Sequence, residues 1–211
     1  MIEMKLYYLP GACSLAIHII LEWIGEPYEA VAVTREQTKT PEYLKMNPAG
    51  AVPALANGGR VLTQNSAIQK YLIEKFPQAN LGPDPTPEGN YELNHWHGFL
   101  GGDLHPGFRP YFAPQRFHPD DSAHPAIRAA AFANLQRLYG IADRHMDGRD
   151  HVIAGRRTVI DAYLFTYSSW AARGFPNRLG DFPHLKRFVG NMLEDPGVAR
   201  VLADEGVSFE P

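Results

Sequence analysis

The chain has 211 residues, 45% hydrophobic and 20% charged, with a formal net charge of −3 and one cysteine. That is enough apolar material for one large or two small domains, and the weak negative charge argues against a surface built on phosphate contacts. One cysteine excludes a disulfide framework and a multi-thiolate zinc site, no run is long enough to span a membrane, and MIEMKLYYLPG meets a turn too early for a secretory leader; a soluble cytoplasmic protein binding neither nucleic acid nor membrane is expected.

Residues 4–9 (MKLYYL) predict a strand, and Pro10-Gly11 breaks it. From Ser14 the spacing of Leu15, His18, Ile19 and Glu22 predicts a helix. The lone Cys13 therefore stands at a helix N-terminus, where unpaired N–H groups and the dipole favour a thiolate; the alternative is a small buried hydrophobe. Residues 28–33 alternate as a second strand, and Thr40-Pro41 caps a short helix. After a loop at 46–50, two short apolar runs flank Asn57-Gly58-Gly59 as a hairpin. Gln64-Asn65-Ser66 then supplies capping residues for a helix over 67–73.

The order is βαβαββα, an α/β unit over residues 1–80. Residues 81–88, rich in proline, read as a linker. Residues 89–211 predict an all-α domain with helices over 89–105, 123–146, 158–173, 183–193 and 196–204. Pro110, Pro114, Pro119 and Pro125 are assigned to loops between them. The nine histidines offer no metal pair: His95 and His97, two residues apart, face opposite sides of a helix, so no metal site is expected.

Pro53 is confined to an edge strand or to a first strand position. On an edge it leaves the Val52 backbone free to pair with an extended peptide; otherwise it is an ordinary edge proline. Gln64-Asn65-Ser66 at a helix start can hold a carboxylate or simply cap the helix. A peptide bearing a thiol, a backbone and a terminal carboxylate would match Cys13, Val52 and Gln64-Asn65.

YYLPGACSLA, NPAGAVPAL and LTQNSAIQKYL, in that order, resemble the N-terminal domain of the cytosolic glutathione transferases, and PGACSL is most similar to the bacterial beta class. Asp103-Leu-His-Pro-Gly-Phe108 resembles the beta-class segment bearing an active-site histidine, and Thr158-Val-Ile-Asp161 the family's N-capping box. The resemblance implies a thioredoxin-like domain followed by an all-helical one, glutathione as co-substrate, no metal, and a homodimer. It implies catalytic roles for Cys13 and His105 at the glutathione sulfur, with Tyr8 and Ser14 as flanking hydroxyl donors. Glutathione binding would fall to Arg35, Ala51, Val52, Pro53 as a cis-proline, Gln64, Asn65 and Asp103. Phe108, Tyr111, Phe112 and Trp170 would line an apolar pocket for the second substrate; as plain core residues they fit equally well.

Asn65 stands where the family commonly has Ser or Gly, and Pro106 where beta-class chains often have Lys. Gly98, Gly101 and Gly102 replace polar groups that reach glutathione across a dimer interface, and predict close approach of a backbone or ligand, or a widened pocket. The implied activity is conjugation of glutathione to small hydrophobic electrophiles, with possible peroxidase or disulfide reductase activity. The alternatives are a glutathione-linked thiol–disulfide oxidoreductase using Cys13 and a non-catalytic binding protein.

Overall fold

Leu6 sits at the centre of the first strand, fully buried, between Ala30 on one neighbour and Leu55 on the other. The computed structural model describes residues 4–211, so the absence of a leader, read from Met1 onward, lies partly outside the described residues. Strand β1 (Met4–Tyr8) alternates buried and half-buried residues, as a strand covered on both faces does. It pairs in parallel with β2 (Tyr28–Ala32) across helix α1 (Leu15–Ile24), and antiparallel with β3 (Ala54–Asn57), which pairs with β4 (Arg60–Thr63). The sheet order is β2-β1-β3-β4. With α2 (Pro41–Met46) and α3 (Asn65–Lys75) the chain order is the expected βαβαββα of a thioredoxin-like unit.

From Pro87 onward every regular element is helical among the described residues: α4 (Pro87–Gly98), α5 (His105–Phe112), α6 (His124–His145), α7 (Val159–Gly174), α8 (Pro183–Leu193) and α9 (Pro196–Asp204). Helix α1 is buried from Leu15 to Leu21, because the sheet covers one side and α7 and α9 the other. Helix α7 is buried over nearly its whole length and forms the axis of the helical half. No helix among the described residues is long and apolar enough to cross a membrane.

Four expectations need correction. Pro53 does not lie on an edge: it precedes β3, an internal strand, and Val52 is left out of the ladder because its register begins at Ala54. The start of α3 has no side-chain cap; Gln64 instead adopts φ 71°, ψ 117°, outside the regions open to most residues. Pro110 lies inside α5 and Pro125 in the first turn of α6, not in loops. The helix expected over 89–105 in fact runs from Pro87 to Phe112, through a π-helical turn at Phe99–Leu104. Its wide bond runs from His105 N–H to Leu100 O, and the next residue, Pro106, has no N–H to give.

Candidate functional site

The chain turns between β1 and α1 at Leu9–Cys13, and the polar groups of Gly11 and Cys13 in this turn are held by partners far along the chain. Gly11 (φ 65°) donates its N–H to Glu205 Oε2 at 2.7 Å. Its carbonyl accepts from Trp170 Nε1 at 2.8 Å and from Arg173 Nη2 at 2.9 Å. The positive φ favours glycine here, and a Cβ would come 2.5 Å from Arg173 Nη1, so that guanidinium would have to move off the turn. Ser14 closes the turn from within: its buried hydroxyl exchanges hydrogen bonds with Leu9 N–H and Leu9 O, both at 3.3 Å.

Cys13 Sγ donates to Val52 O at 3.2 Å, which marks it as a thiol. The thiolate expected at this helix start is not favoured. Although the residue is only half-buried, the protein crowded around Sγ strips water from it and pushes its pKa up to about 11. The backbone N–H groups of Cys13 and Ser14 and the charge of Arg109 pull the other way, but do not outweigh that desolvation.

Opposite Cys13, the loop at 49–53 is pinned from below. Ala51 O accepts from Tyr43 Oη at 2.8 Å and Asn47 Nδ2 at 2.7 Å, and Gly50 O accepts from Lys39 Nζ at 2.8 Å. The Val52–Pro53 peptide is cis. Asn65, first residue of α3, donates from Nδ2 to Cys13 O at 2.6 Å and accepts from Gln69 Nε2 at 2.8 Å. Gln69 Oε1 in turn lies 3.0 Å from His97 Nε2. Burial, with Lys70 nearby, lowers the pKa of His97 to about 4, so its ring is neutral and Nε2–H is the donor. The Asn65 side chain is thus committed within the protein, while the first-turn N–H groups of α3 lack a side-chain cap.

These segments enclose a cavity of about 990 Å³. Of the sequence-derived site residues, Cys13, Arg35, Ala51, Val52, His105, Phe112 and Trp170 line it. Tyr8 does not: it is buried, its ring 5.1 Å from that of His18, and burial together with Glu205 and Asp204 raises its pKa. Ser14 and Asn65 are buried beneath the wall, Pro53 is buried behind Val52, and Gln64 is exposed at the start of α3. Asp103 is exposed in the π turn and does not line the cavity. Phe108 is a core residue, stacked on Phe112 at 5.2 Å, and Tyr111 donates to Gly174 O at 2.7 Å; both sit behind the wall. His105 stacks on Tyr167 at 5.2 Å, and burial plus the charge of Arg109 lowers its pKa to about 4.

The sequence reading misses the charged wall. Lys39, Arg109, Arg116 and Arg173 line the cavity with Phe117. Part of the signal was present: Arg109 and Phe112 follow His105 in steps of four and three residues, the period of one helix face, whereas Arg116 lies past the end of α5 in a short 3-10 turn.

Residues 2–74 match the family model described as glutathione S-transferase, N-terminal domain. A glutathione S-transferase from Xanthomonas campestris, GST-4.5, is 39% identical over 205 residues, covering 97% of this chain and 100% of that protein. A sphingomonad glutathione S-transferase solved in complex with glutathione superposes with a TM-score of 0.84 at 34% identity, over 97% of this chain and 100% of the other. A beta-class glutathione S-transferase from Sphingomonas chungbukensis superposes with a TM-score of 0.85 at 33% identity, again over 97% and 100% of the two chains.

Proposed function

This chain belongs to the glutathione S-transferase family, with beta-class likeness, and on that premise we propose that its cavity joins the sulfur of glutathione to a small electrophile with an apolar body. The observation that carries this reading is geometric: Cys13 Sγ lines the cavity and is spent as a donor to Val52 O at 3.2 Å. A thiol with a pKa near 11 is ionised in roughly one molecule in ten thousand at pH 7, so Cys13 is a poor attacking group. It faces a cavity large enough for a second thiol, whose free pKa is about 8.5. Glutathione therefore supplies the nucleophile and Cys13 lies beside it as a donor. This also argues against a disulfide reductase that starts from Cys13.

Val52, outside the β-ladder, is available for the cysteinyl backbone of glutathione. Its carbonyl has a second lone pair beyond the one used by Cys13. The uncapped start of α3, at Gln64 and Asn65, suits the γ-glutamyl carboxylate through backbone N–H groups and the helix dipole. Arg35 and Lys39, beside the loop of Ala51 and Val52, suit the glycyl carboxylate. Neutral His105 offers a ring N–H to the developing thiolate. It is too weak a base to keep the thiol proton, which goes to solvent. The thiolate then attacks the electrophilic carbon against Phe112 and Trp170.

The domain division at 1–80 and 89–211, with 81–88 as linker, assigns glutathione to the first unit and the electrophile mainly to the second. A homodimer fits an exposed stripe on α4 and the π turn: Tyr91, His95, Gly98 and Gly102 share one helix face, and Tyr91 is 68% exposed. Asp103, next to that stripe, would meet glutathione only across such an interface. A cytoplasmic location is supported by a lone cysteine that has no partner for a disulfide. Calorimetric titration with glutathione, followed by conjugation of chlorodinitrobenzene, tests the reading: micromolar to millimolar binding with turnover is expected, and no binding at millimolar glutathione overturns it.

A further inference from the structure

The cavity wall carries Arg35, Lys39, Arg109, Arg116 and Arg173, and no carboxylate among the described residues, in a chain whose net charge is −3. Three of these cations have work already. Lys39 donates to Gly50 O, Arg173 donates to Gly11 O, and Arg35 stands on the side assigned to the glycyl carboxylate. Arg109 and Arg116 do not: none of the ion pairs or side-chain hydrogen bonds among the described residues uses either guanidinium. They occupy the helical side of the cavity, Arg109 on the α5 face that also presents His105 and Phe112, and Arg116 in the short turn after α5 next to Phe117, with Trp170 in the same wall. Arg109 is close enough for its charge to be felt at both Cys13 and His105.

Two uncompensated guanidinium groups flanking an aromatic surface repel cations and favour a planar anion, which they can meet in bidentate fashion while its body stacks on the rings. Resting on the transferase reading above, we propose that the acceptor is an anionic aromatic electrophile: a carboxylate-bearing ring with an activated carbon, its carboxylate held by Arg109 and Arg116 and its ring by Phe112, Phe117 and Trp170. The two arginines are then the specificity-determining residues of the second substrate site. With an aryl halide acceptor the step balances simply. The glutathione thiolate forms the C–S bond, halide leaves with the C–halogen electron pair, the thiol proton has already gone to solvent, and the carboxylate is unchanged.

The test compares a chloronitrobenzoate with the matching uncharged chloronitrobenzamide, each kcat/KM divided by the uncatalysed rate with glutathione. The expected result is a preference for the carboxylate of about tenfold at low salt, as two charge-assisted contacts at a half-open site would give. That preference should shrink as ionic strength rises and fall to near parity in Arg109→Gln/Arg116→Gln. The salt series uses the unaltered protein, so the inference stays testable if the double variant does not fold. Parity or amide preference in the unaltered protein overturns it, as does a preference that survives the double substitution. A glutathione KM that rises by the factor lost in preference would also overturn it, by assigning both arginines to glutathione. Intact glutathione binding and amide conjugation without carboxylate preference defeats this inference alone; no glutathione binding defeats the transferase reading as well.

Discussion

At Cys13 two opposing effects act on one sulfur. The helix start and the Arg109 charge favour a thiolate, and desolvation opposes it and wins. Because Cys13 is the only cysteine, its alkylation can be followed by intact mass. The rate with iodoacetamide should climb about tenfold per pH unit across pH 7 to 9.5 without the plateau of an ordinary thiol near ~8.5; a plateau below pH 9 would show an activated cysteine instead. Cys13→Ala should retain glutathione conjugation within a few-fold, since the nucleophile is glutathione's. His97 gives a stability prediction whose sign follows from linkage. Its pKa of about 4 lies below the 6.5 of an unfolded histidine, so between these values the unfolded chain binds the extra proton. Stability is thus full above pH 6.5 and falls as pH drops toward 4, by on the order of 3 kcal/mol from this nearly buried ring. Urea unfolding at pH 7 and 4.5 should show that loss, and His97→Gln should reduce it. Sequence motifs pointed to Cys13, Val52 and His105, which the structure brings to one cavity. They could not show that Asn65 is spent on Cys13 O and Gln69, because that depends on which rotamer a long-range carbonyl captures.

Among the elements, helix starts marked by a proline in the first turn were the most legible, and the interior of the long helix over Pro87–Phe112 the least. Thr40-Pro41 starts α2 as expected, with Thr40 Oγ1 accepting from Tyr43 N–H at 3.3 Å, and α8 and α9 span the expected 183–193 and 196–204. Local chemistry fixes such boundaries. The capping box of α7 goes further than a surface cap. Buried Asp161 accepts from Thr158 N–H at 2.6 Å and Thr158 Oγ1 at 3.1 Å with one oxygen, and from Val152 N–H at 2.9 Å with the other. Asp161→Ala leaves these buried donors without a partner and should cost about 2–4 kcal/mol, read as a lower urea midpoint. The π turn was not legible, because its cause is a conflict between helix continuity and Pro106 that no period reveals. The two glycines of the turn and Gly98 just before it are not equivalent. A Cβ on Gly101 would come 2.9 Å from Tyr163 Oη and 3.4 Å from Ser66 Oγ, whereas Gly98 and Gly102 face open space. Gly101→Ala should therefore destabilise by about 1–3 kcal/mol. Gly102→Ala should be neutral or stabilising by up to ~1 kcal/mol within one chain, and a loss there with a shift toward monomer in sedimentation would locate the dimer contact on this stripe.

In the whole molecule, the helical half does more than wall off the cavity: it sets the conformation of the turn that carries Cys13. Glu205, just past α9, holds Gly11 N–H with one oxygen and His18 Nδ1 at 2.9 Å with the other, and both side chains of that pair are essentially buried. Trp170 and Arg173 on α7 take the Gly11 carbonyl. A single residue in the α/β half, Gly11, is thus gripped at both its N–H and its carbonyl by residues more than 150 positions away. Removing Glu205 strands a buried backbone donor and a buried imidazole nitrogen together, and His18 Nε2 already lacks a partner. Glu205→Ala should therefore lose about 3–5 kcal/mol of stability. The effect should not stop at stability. With Gly11 N–H released, the turn can rotate and Cys13 leaves its contact with Val52 O, the carbonyl proposed to receive the glutathione backbone. At a temperature where the variant is still folded by circular dichroism, its glutathione KM should rise several-fold while kcat falls less. Glu205→Gln, which keeps an acceptor oxygen for one of the two donors, should recover part of both losses. An equal fall in kcat and kcat/KM with unchanged KM would instead mean that the clamp acts on the chemical step and leaves the bound turn alone.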